Sequence, residues 1–232
     1  MSPRRRAGGR RPARARYRTG PVGRQTVVVN VRARRGPGRP AGGRLPVDRE
    51  ALLDAAERVI ARDGPGASIE SIAAEAGVTK PIVYARVGAR ADLCDALAAR
   101  FADRLVSSAR HRVVDLEPSR GALVGIVRAT LETIGEHRSL FVFVSGGGDD
   151  LAERTLHLAG RSAPRLAALY ATWRSSLGLP TTSAEPWAYA TIGMLHLVAM
   201  WWLESGDESA EQLAQRLADL LWPGLSSNTY HE

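Results

Sequence analysis

The sequence predicts an all-α protein: an N-terminal three-helix domain with a helix-turn-helix over residues 46–108, followed by a larger helical domain over residues 109–225. Apolar residues recur at the spacing of a helix face in most segments after residue 48. The composition, with 44% apolar residues and few aromatic ones, fits a helix-rich globular protein. The five-residue apolar run at 140–144 has strand propensity but no partner strand, so a short helix or a buried loop is expected there.

The N-terminal stretch differs in charge from the rest of the chain. Residues 1–44 contain fourteen of the 32 Lys and Arg and none of the 24 Asp and Glu, so the remaining residues are net acidic. Rich in Arg, Gly and Pro, residues 1–45 are predicted to be a disordered basic arm. Such an arm either contacts DNA phosphates or a minor groove, or is a solvated tail, or results from a translation start assigned upstream of the natural one.

The first predicted helix runs from Asp48 to Asp63 and is amphipathic, with Gly64-Pro65-Gly66 ending it. Ser68 is a plausible N-cap for a second helix, Ile69 to Ala76. Gly77 follows and can adopt the left-handed conformation that closes a helix. These two helices form the first part of the predicted helix-turn-helix.

The second helix of the motif begins at or next to Lys80, with Thr79 as its expected N-cap and Pro81 in its first turn. Val83 and Val87 are four residues apart and are predicted to face inward. The side chains predicted to face outward are those of Lys80, Ile82, Tyr84 and Arg86.

This outward face has the chemistry of a DNA-contacting surface. Lysine and arginine neutralise phosphates, a tyrosine hydroxyl donates to a phosphate oxygen, and isoleucine suits a thymine methyl group. Between Lys80 and Ala91 there are three cations and no acid. The predicted DNA-binding residues are Ser68, Thr79, Lys80, Pro81, Ile82, Tyr84, Arg86 and Arg90.

The same stretch resembles the DNA-binding domain of the TetR (tetracycline-repressor-like) family of bacterial transcription regulators, over about residues 49–95. Arg86 stands where the family usually has His, Val87 where it has Phe, and Arg90 where it has Lys. The smaller Val87 implies some repacking beneath the recognition helix. The residues that agree with the family pattern are Ile72, Ala73, Ala76, Gly77, Val78, Thr79, Tyr84 and Leu93.

Further helices are predicted along the C-terminal part of the chain. A fourth helix begins near Arg90 and runs to about Val113, and Glu117-Pro118-Ser119 marks a break. Another helix follows to His137, and a long one runs from Asp149 to Leu177, with Pro164 as a possible kink. Residues 226–232 are assigned to a tail.

The last two predicted helices are interpreted as a buried pair that supplies half of a four-helix dimer interface. The first spans residues 187–203, which carry no formal charge, and the second, Ala210 to Leu221, is amphipathic. A homodimer also suits two half-sites of a palindromic operator. The expected interface residues are Trp201, Trp202, Leu213, Leu217, Leu220 and Trp222.

The family resemblance implies an effector pocket among the middle helices, whose occupancy by a small molecule alters DNA affinity. Apolar side chains with a few polar groups are expected to line it. The candidates are Phe141, Phe143, His157, Tyr170, Trp173, Trp187 and Met194, each of which could equally be a core residue.

Other functional classes have weaker support. The sequence contains no catalytic triad, HExxH pair or phosphate loop, so neither an enzyme nor a cofactor is expected. The single cysteine, Cys94, excludes an internal disulfide and provides no metal set, which suits a cytoplasmic location. Residues 187–203 are barely long enough to cross a bilayer, and His196 interrupts them, so no membrane partner is expected. The alternative function is non-specific DNA packaging through the arginine-rich arm.

Overall fold

The computed structural model describes residues 47–110, 117–146 and 151–227, apart from the side chains of residues 151–155, 157 and 158. All of them belong to one compact unit, Arg44–Glu232. The predicted boundary at 108/109 stays a prediction. The arm at 1–45, the predicted helix end at Val113, the helix start at Asp149 and most of the tail at 226–232 lie outside the described residues.

The described residues form helices joined by turns and loops and include no strand, which confirms the all-α prediction. The run at 140–144 lies within a short helix, not a strand. In chain order the helices are α1 Arg49–Asp63, α2 Ile69–Glu75, α3 Lys80–Val87, α4 Arg90–Arg110, α5 Arg120–Glu136, α6 Arg138–Ser145, α7 Leu151–Ser176, α8 Ala184–Ser205 and α9 Ala210–Ser226.

Helices α1 to α3, here called the reading head, are delimited by local signals that the sequence already shows. The Asp48 carboxylate accepts a hydrogen bond from the Ala51 amide at 2.7 Å and caps α1. Gly77 has a φ of 67° in the turn between α2 and α3, a conformation that glycine adopts without strain. Thr79 occupies the N-cap position of α3, but its side chain makes no capping hydrogen bond, contrary to expectation.

Helix α4 joins the reading head to the rest of the molecule. Arg100 pairs with Asp54 at 2.6 Å and Arg104 pairs with Glu57 at 2.8 Å, so charged side chains link α4 to α1. On other faces α4 packs against α5, α6 and α7. Its buried Leu97 and Phe101 belong to the continuous apolar core that includes residues of both the head and the C-terminal helices.

The C-terminal helices pair differently from the sequence prediction. Helix α8 packs mainly against α7, and α9 packs mainly against α5. The expected buried pair of α8 with α9 is therefore not formed, and Leu197 and Trp201 on α8 are more than half exposed. Pro164 lies inside α7, which continues on both sides of it. Within the described ranges, none of the helices combines the length and the apolar character that a membrane span requires.

Candidate nucleic-acid interface and internal cavity

Helix α3 has one buried and one exposed face, as its sequence predicts. Val83 is fully buried and Val87 is 5% exposed, and both belong to the apolar core. On the opposite side Ile82 is 40% exposed and Tyr84 is 48% exposed. Together with exposed Arg86, these side chains give α3 an outer face of apolar and hydrogen-bonding groups, which is a candidate contact surface for DNA.

The cations of α3 differ in how they are held. Lys80 forms an ion pair with Glu70 of α2 at the surface. Arg86 is exposed in the last turn, and within the described part of the chain it takes part in no ion pair. A phosphate can therefore approach Arg86 directly, whereas at Lys80 it must compete with Glu70.

The polar residues at the helix starts have structural contacts. The Ser68 hydroxyl accepts a hydrogen bond from the Ser71 amide at 3.1 Å and is 3.0 Å from the Ser71 hydroxyl, so it caps α2. Thr79 and Pro81 are exposed at the start of α3. A DNA contact by Ser68 would therefore share a hydroxyl that already stabilises the first helix of the motif.

Arg90 makes two intramolecular contacts. One guanidinium nitrogen donates to the Ala67 carbonyl oxygen in the α1–α2 loop at 2.8 Å. The guanidinium also lies over the Phe143 ring of α6, 4.9 Å from its centroid. The side chain predicted to contact a phosphate thus connects α4 to the reading head and to α6.

A cavity of about 780 Å³ lies among α4, α5, α7 and α8, and Phe141 of α6 also lines it. Its size is in the range of small-molecule sites. Most of its lining is apolar, including Phe101, Leu123, Ile126, Phe141, Leu166, Tyr170, Ile192 and Leu195. The charged lining residues are Asp103, Arg110 and Arg165, all of which are exposed.

Three polar side chains lie in the buried part of the cavity. The Tyr170 hydroxyl donates to the Thr191 hydroxyl at 3.1 Å, and burial raises the pKa of Tyr170 to about 12, so the phenol is neutral. His196 of α8 is 6% exposed, and its Nε2 atom has no hydrogen-bond partner. Burial lowers the pKa of His196, which favours the neutral imidazole at pH 7.

The cavity includes only part of the predicted lining set. Phe141 and Tyr170 line it, whereas Phe143, Trp173, Trp187 and Met194 do not. His157 lies on α7 outside the described side chains.

The four excluded side chains pack elsewhere. Phe143 lies under Arg90, and Trp187 lies against Arg174, with its ring centroid 4.7 Å from the guanidinium carbon. Trp173 packs edge-on against Trp222 at 6.4 Å, and Met194 is half-buried beside the core. Helical periodicity alone does not distinguish these positions from the lining ones.

His196 was not among the predicted lining residues, but it lines the cavity, and its Nε2 atom has no hydrogen-bond partner. Its position within the uncharged run 187–203 was the one available signal. An isolated polar group in such a run is costly unless it has a partner.

The residues expected at a dimer interface fall into two groups. Trp201 is 54% exposed and Leu220 is 68% exposed, so both are available to a second copy. Leu213 and Leu217 lie on α9, which packs against α5, and both are buried in the core of the single chain. Because they are already covered within one chain, their assignment to a dimer interface is corrected.

The two remaining tryptophans have intramolecular partners. Trp202 donates its indole N–H to the Glu208 carbonyl oxygen at 2.8 Å, and Trp222 contacts Trp173. Both are partly buried, so only part of each ring remains for a partner.

Comparison with family models identifies both parts of the described unit. Residues 52–97 match the model described as bacterial regulatory proteins, tetR family. Residues 127–231 match the model described as tetracyclin repressor-like, C-terminal domain.

Two curated relatives are transcriptional regulators. An uncharacterized HTH-type transcriptional regulator of Mycobacterium tuberculosis is 26% identical over 183 residues, which cover 76% of this chain and 76% of that protein. The HTH-type transcriptional activator FasR of Mycolicibacterium smegmatis is 35% identical over 120 residues, covering 48% of this chain and 54% of the relative.

Solved structures share the fold at lower identity. The fatty acid degradation regulator FadR of Bacillus halodurans aligns with a TM-score of 0.59 and 19% identity, over 79% of this chain and 97% of that one. FadR of Bacillus subtilis, solved in complex with stearoyl-CoA, aligns with a TM-score of 0.56 and 17% identity, over 74% and 96% of the two chains.

Proposed function

The chain belongs to the TetR family of bacterial transcriptional regulators, and from that premise we propose how it binds DNA and what controls the binding. A homodimer inserts α3 of each protomer into the major groove at the two halves of a palindromic operator. A small molecule in the cavity changes the affinity for that operator, most simply as a ligand-responsive repressor. Because bacterial DNA lies in the nucleoid, within the cytoplasm, we place the protein there.

The observation that carries the DNA-binding proposal is the exposure of Ile82 and Tyr84 on a short helix whose other face is anchored by Val83 and Val87. Ile82 supplies an apolar contact to a thymine methyl, and the Tyr84 hydroxyl donates to a phosphate oxygen. Arg86 neutralises a neighbouring phosphate. Lys80 does so after exchanging its Glu70 partner for DNA. Thr79 and Pro81 lie exposed at the same helix start.

The dimer is supported by exposed apolar side chains near the C-terminal end of the molecule. Leu197 and Trp201 on α8 and Leu220 on α9 are each more than half exposed. Tryptophan, as at Trp201, is enriched among the residues that anchor protein interfaces. A twofold dimer would present its two α3 helices to half-sites one or more helical turns apart, roughly 34–36 Å per turn.

The effector proposal rests on the cavity of about 780 Å³ and its largely apolar lining. The Bacillus subtilis FadR neighbour was solved with stearoyl-CoA, a ligand with a long apolar chain. From this neighbour we infer only that an apolar molecule occupies the cavity of the present chain. Typical couplings between an effector and DNA change the affinity by about 1–3 kcal/mol.

Non-specific DNA packaging through residues 1–44 is the second candidate, supported by the fourteen arginines of that stretch. The two functions respond differently to competitor DNA. A regulator keeps its preference for one site against bulk DNA, whereas a packaging protein loses its binding to competitor and salt. The family is one of regulators, and we assign no catalytic role.

The deciding experiment is selection of bound sites from random duplexes with the full-length chain. We expect a palindrome, and we expect Ile82→Ala to change base preference at one position of each half-site. Lys80→Ala and Tyr84→Phe should weaken binding to all sequences. Arg216→Ala removes an exposed cation on α9 and serves as the matched control. Recovery of no palindrome, or unchanged preferences in Ile82→Ala, would contradict the proposed roles.

A further inference from the structure

The Nε2 atom of His196 is a buried polar atom without a hydrogen-bond partner. Its residue is only 6% exposed and lines the cavity, in the middle of α8. Buried polar atoms in folded proteins are nearly always paired, because desolvation without a partner is costly. An unpaired polar atom on a residue that lines a space large enough for a ligand indicates which residue a ligand can bind.

The surroundings of His196 restrict what that ligand can be. The imidazole packs against the Phe141 ring at 5.4 Å between centroids, and Ile192 and Leu195 lie beside it on α8. The neighbouring Tyr170 and Thr191 hydroxyls are hydrogen-bonded to each other. The buried region therefore offers apolar contact plus one unmatched polar atom.

Charge is confined to the exposed part of the lining. Asp103 and Arg165 form an ion pair at 2.8 Å at the surface, and Arg110 is exposed at the end of α4. No carboxylate or cation among the described lining residues is buried beside His196. An ionised ligand group at this depth would lack compensation, because burial also favours the neutral form of the imidazole.

We propose that the effector is an apolar molecule with an uncharged hydroxyl or carbonyl group that hydrogen-bonds to His196 Nε2. This inference rests on the proposed effector role of the cavity. A neutral imidazole nitrogen either donates to a carbonyl or hydroxyl oxygen or accepts from a hydroxyl, so both groups fit. His196 is then the specificity-determining residue of the cavity, and the apolar walls set affinity without discriminating among chains of similar size.

The test compares ligands that differ only in the polar group, using the full-length protein. The probe N-phenyl-1-naphthylamine reports cavity occupancy by fluorescence, and decan-1-ol and 1-chlorodecane displace it. The measured quantity is the ratio of the two dissociation constants in wild type and in His196→Phe, which keeps the ring but not the nitrogen. Comparing this ratio between the two proteins cancels the difference in hydrophobicity between the ligands.

We expect the wild type to favour decan-1-ol over 1-chlorodecane by about fivefold more than His196→Phe does, the value of one ordinary hydrogen bond. His196→Gln, which keeps a donor and an acceptor, should retain part of the preference. Met194→Leu is the control, since Met194 is on the same helix but outside the lining. Its ratio should equal that of wild type.

A second measurement needs no variant to fold like the wild type. Decan-1-ol should shift the imidazole ¹⁵N resonance of His196 in the wild-type chain, and 1-chlorodecane should not. Equal ratios in wild type and His196→Phe, or equal ¹⁵N shifts with both ligands, overturn the inference while leaving the cavity as an effector site. Failure of the probe and both ligands to enter the wild-type cavity overturns the inference together with the effector proposal. DNA site selection tests the DNA-binding proposal separately.

Discussion

Arg90 gives the sharpest contrast between a sequence-based and a structure-based role. Its position in the family pattern predicts a phosphate contact, but its guanidinium donates to the Ala67 carbonyl oxygen and lies over the Phe143 ring. If these contacts hold the reading head against α4 and α6, Arg90→Met should lower the free energy of unfolding. It should also weaken DNA binding indirectly, by loosening the position of α3.

The magnitude follows from the two contacts. A hydrogen bond from a charged donor contributes about 1.5–3 kcal/mol, and an exposed cation–π contact contributes about 0.5–1 kcal/mol. Because Arg90 is exposed, the lower values apply, and we expect Arg90→Met to cost about 2 kcal/mol. Arg90→Lys keeps the cation but not the planar fork, so its cost should be about half as large.

Urea unfolding and the salt dependence of operator binding together measure this role. Removing a phosphate contact reduces the slope of the logarithm of the DNA-binding constant against the logarithm of salt concentration by about 0.9. Removing an intramolecular contact leaves that slope unchanged. Arg86→Met is the matched control, since exposed Arg86 has no ion-pair partner among the residues described. It should reduce the slope without lowering stability. An unchanged free energy of unfolding in Arg90→Met, with a slope reduced by about 0.9, would refute the structural role.

Three further predictions concern stability and the basic arm. Arg174 is 1% exposed, and its guanidinium donates to four backbone carbonyl oxygens, those of Pro180, Gly224, Leu225 and Ser227. Because hydrogen bonds from a charged donor contribute about 1.5–3 kcal/mol each, Arg174→Met should cost about 3–5 kcal/mol in urea unfolding. A loss below about 1 kcal/mol would show these bonds to be dispensable. His196 has a lowered pKa, so its unfolded form binds more protons, and wild-type stability should fall as the pH drops below about 6.5. His196→Phe should lack this loss of stability at low pH. Identical pH profiles of unfolding for the wild type and His196→Phe would contradict the prediction. Deleting residues 1–44 should reduce the salt slope of DNA binding if the arm contacts phosphates, and an unchanged slope excludes the arm from binding.

The reading head was the most predictable part of the molecule. The Asp48 and Ser68 caps, the left-handed Gly77 and the buried faces of α1 and α3 all agree with the sequence prediction. Each of these features depends on residues within a few positions of one another, and such local preferences can be read from spacing. Thr79 lacks the expected capping hydrogen bond, but α3 still begins at the predicted position.

The C-terminal half was less predictable because an apolar face of a helix does not reveal which other helix will cover it. Periodicity placed Leu213 and Leu217 on one side of α9, but it did not reveal that this side faces α5 of the same chain. In the same way, aromatic composition could not distinguish Phe141, which lines the cavity, from Phe143, which supports Arg90. Long-range partners depend on how helices distant in sequence are packed.

The amino-acid sequence alone determined most of the helical segments, where the first three begin and end, and which family the chain resembles. Only the tertiary structure decided that Arg90 is engaged within the chain, that α8 lies against α7, and that His196 lines a cavity while its buried Nε2 atom has no hydrogen-bond partner. The physical reason is that helix-capping hydrogen bonds and helix periodicity act over a few residues. Burial and the pairing of polar atoms depend on which distant surfaces meet.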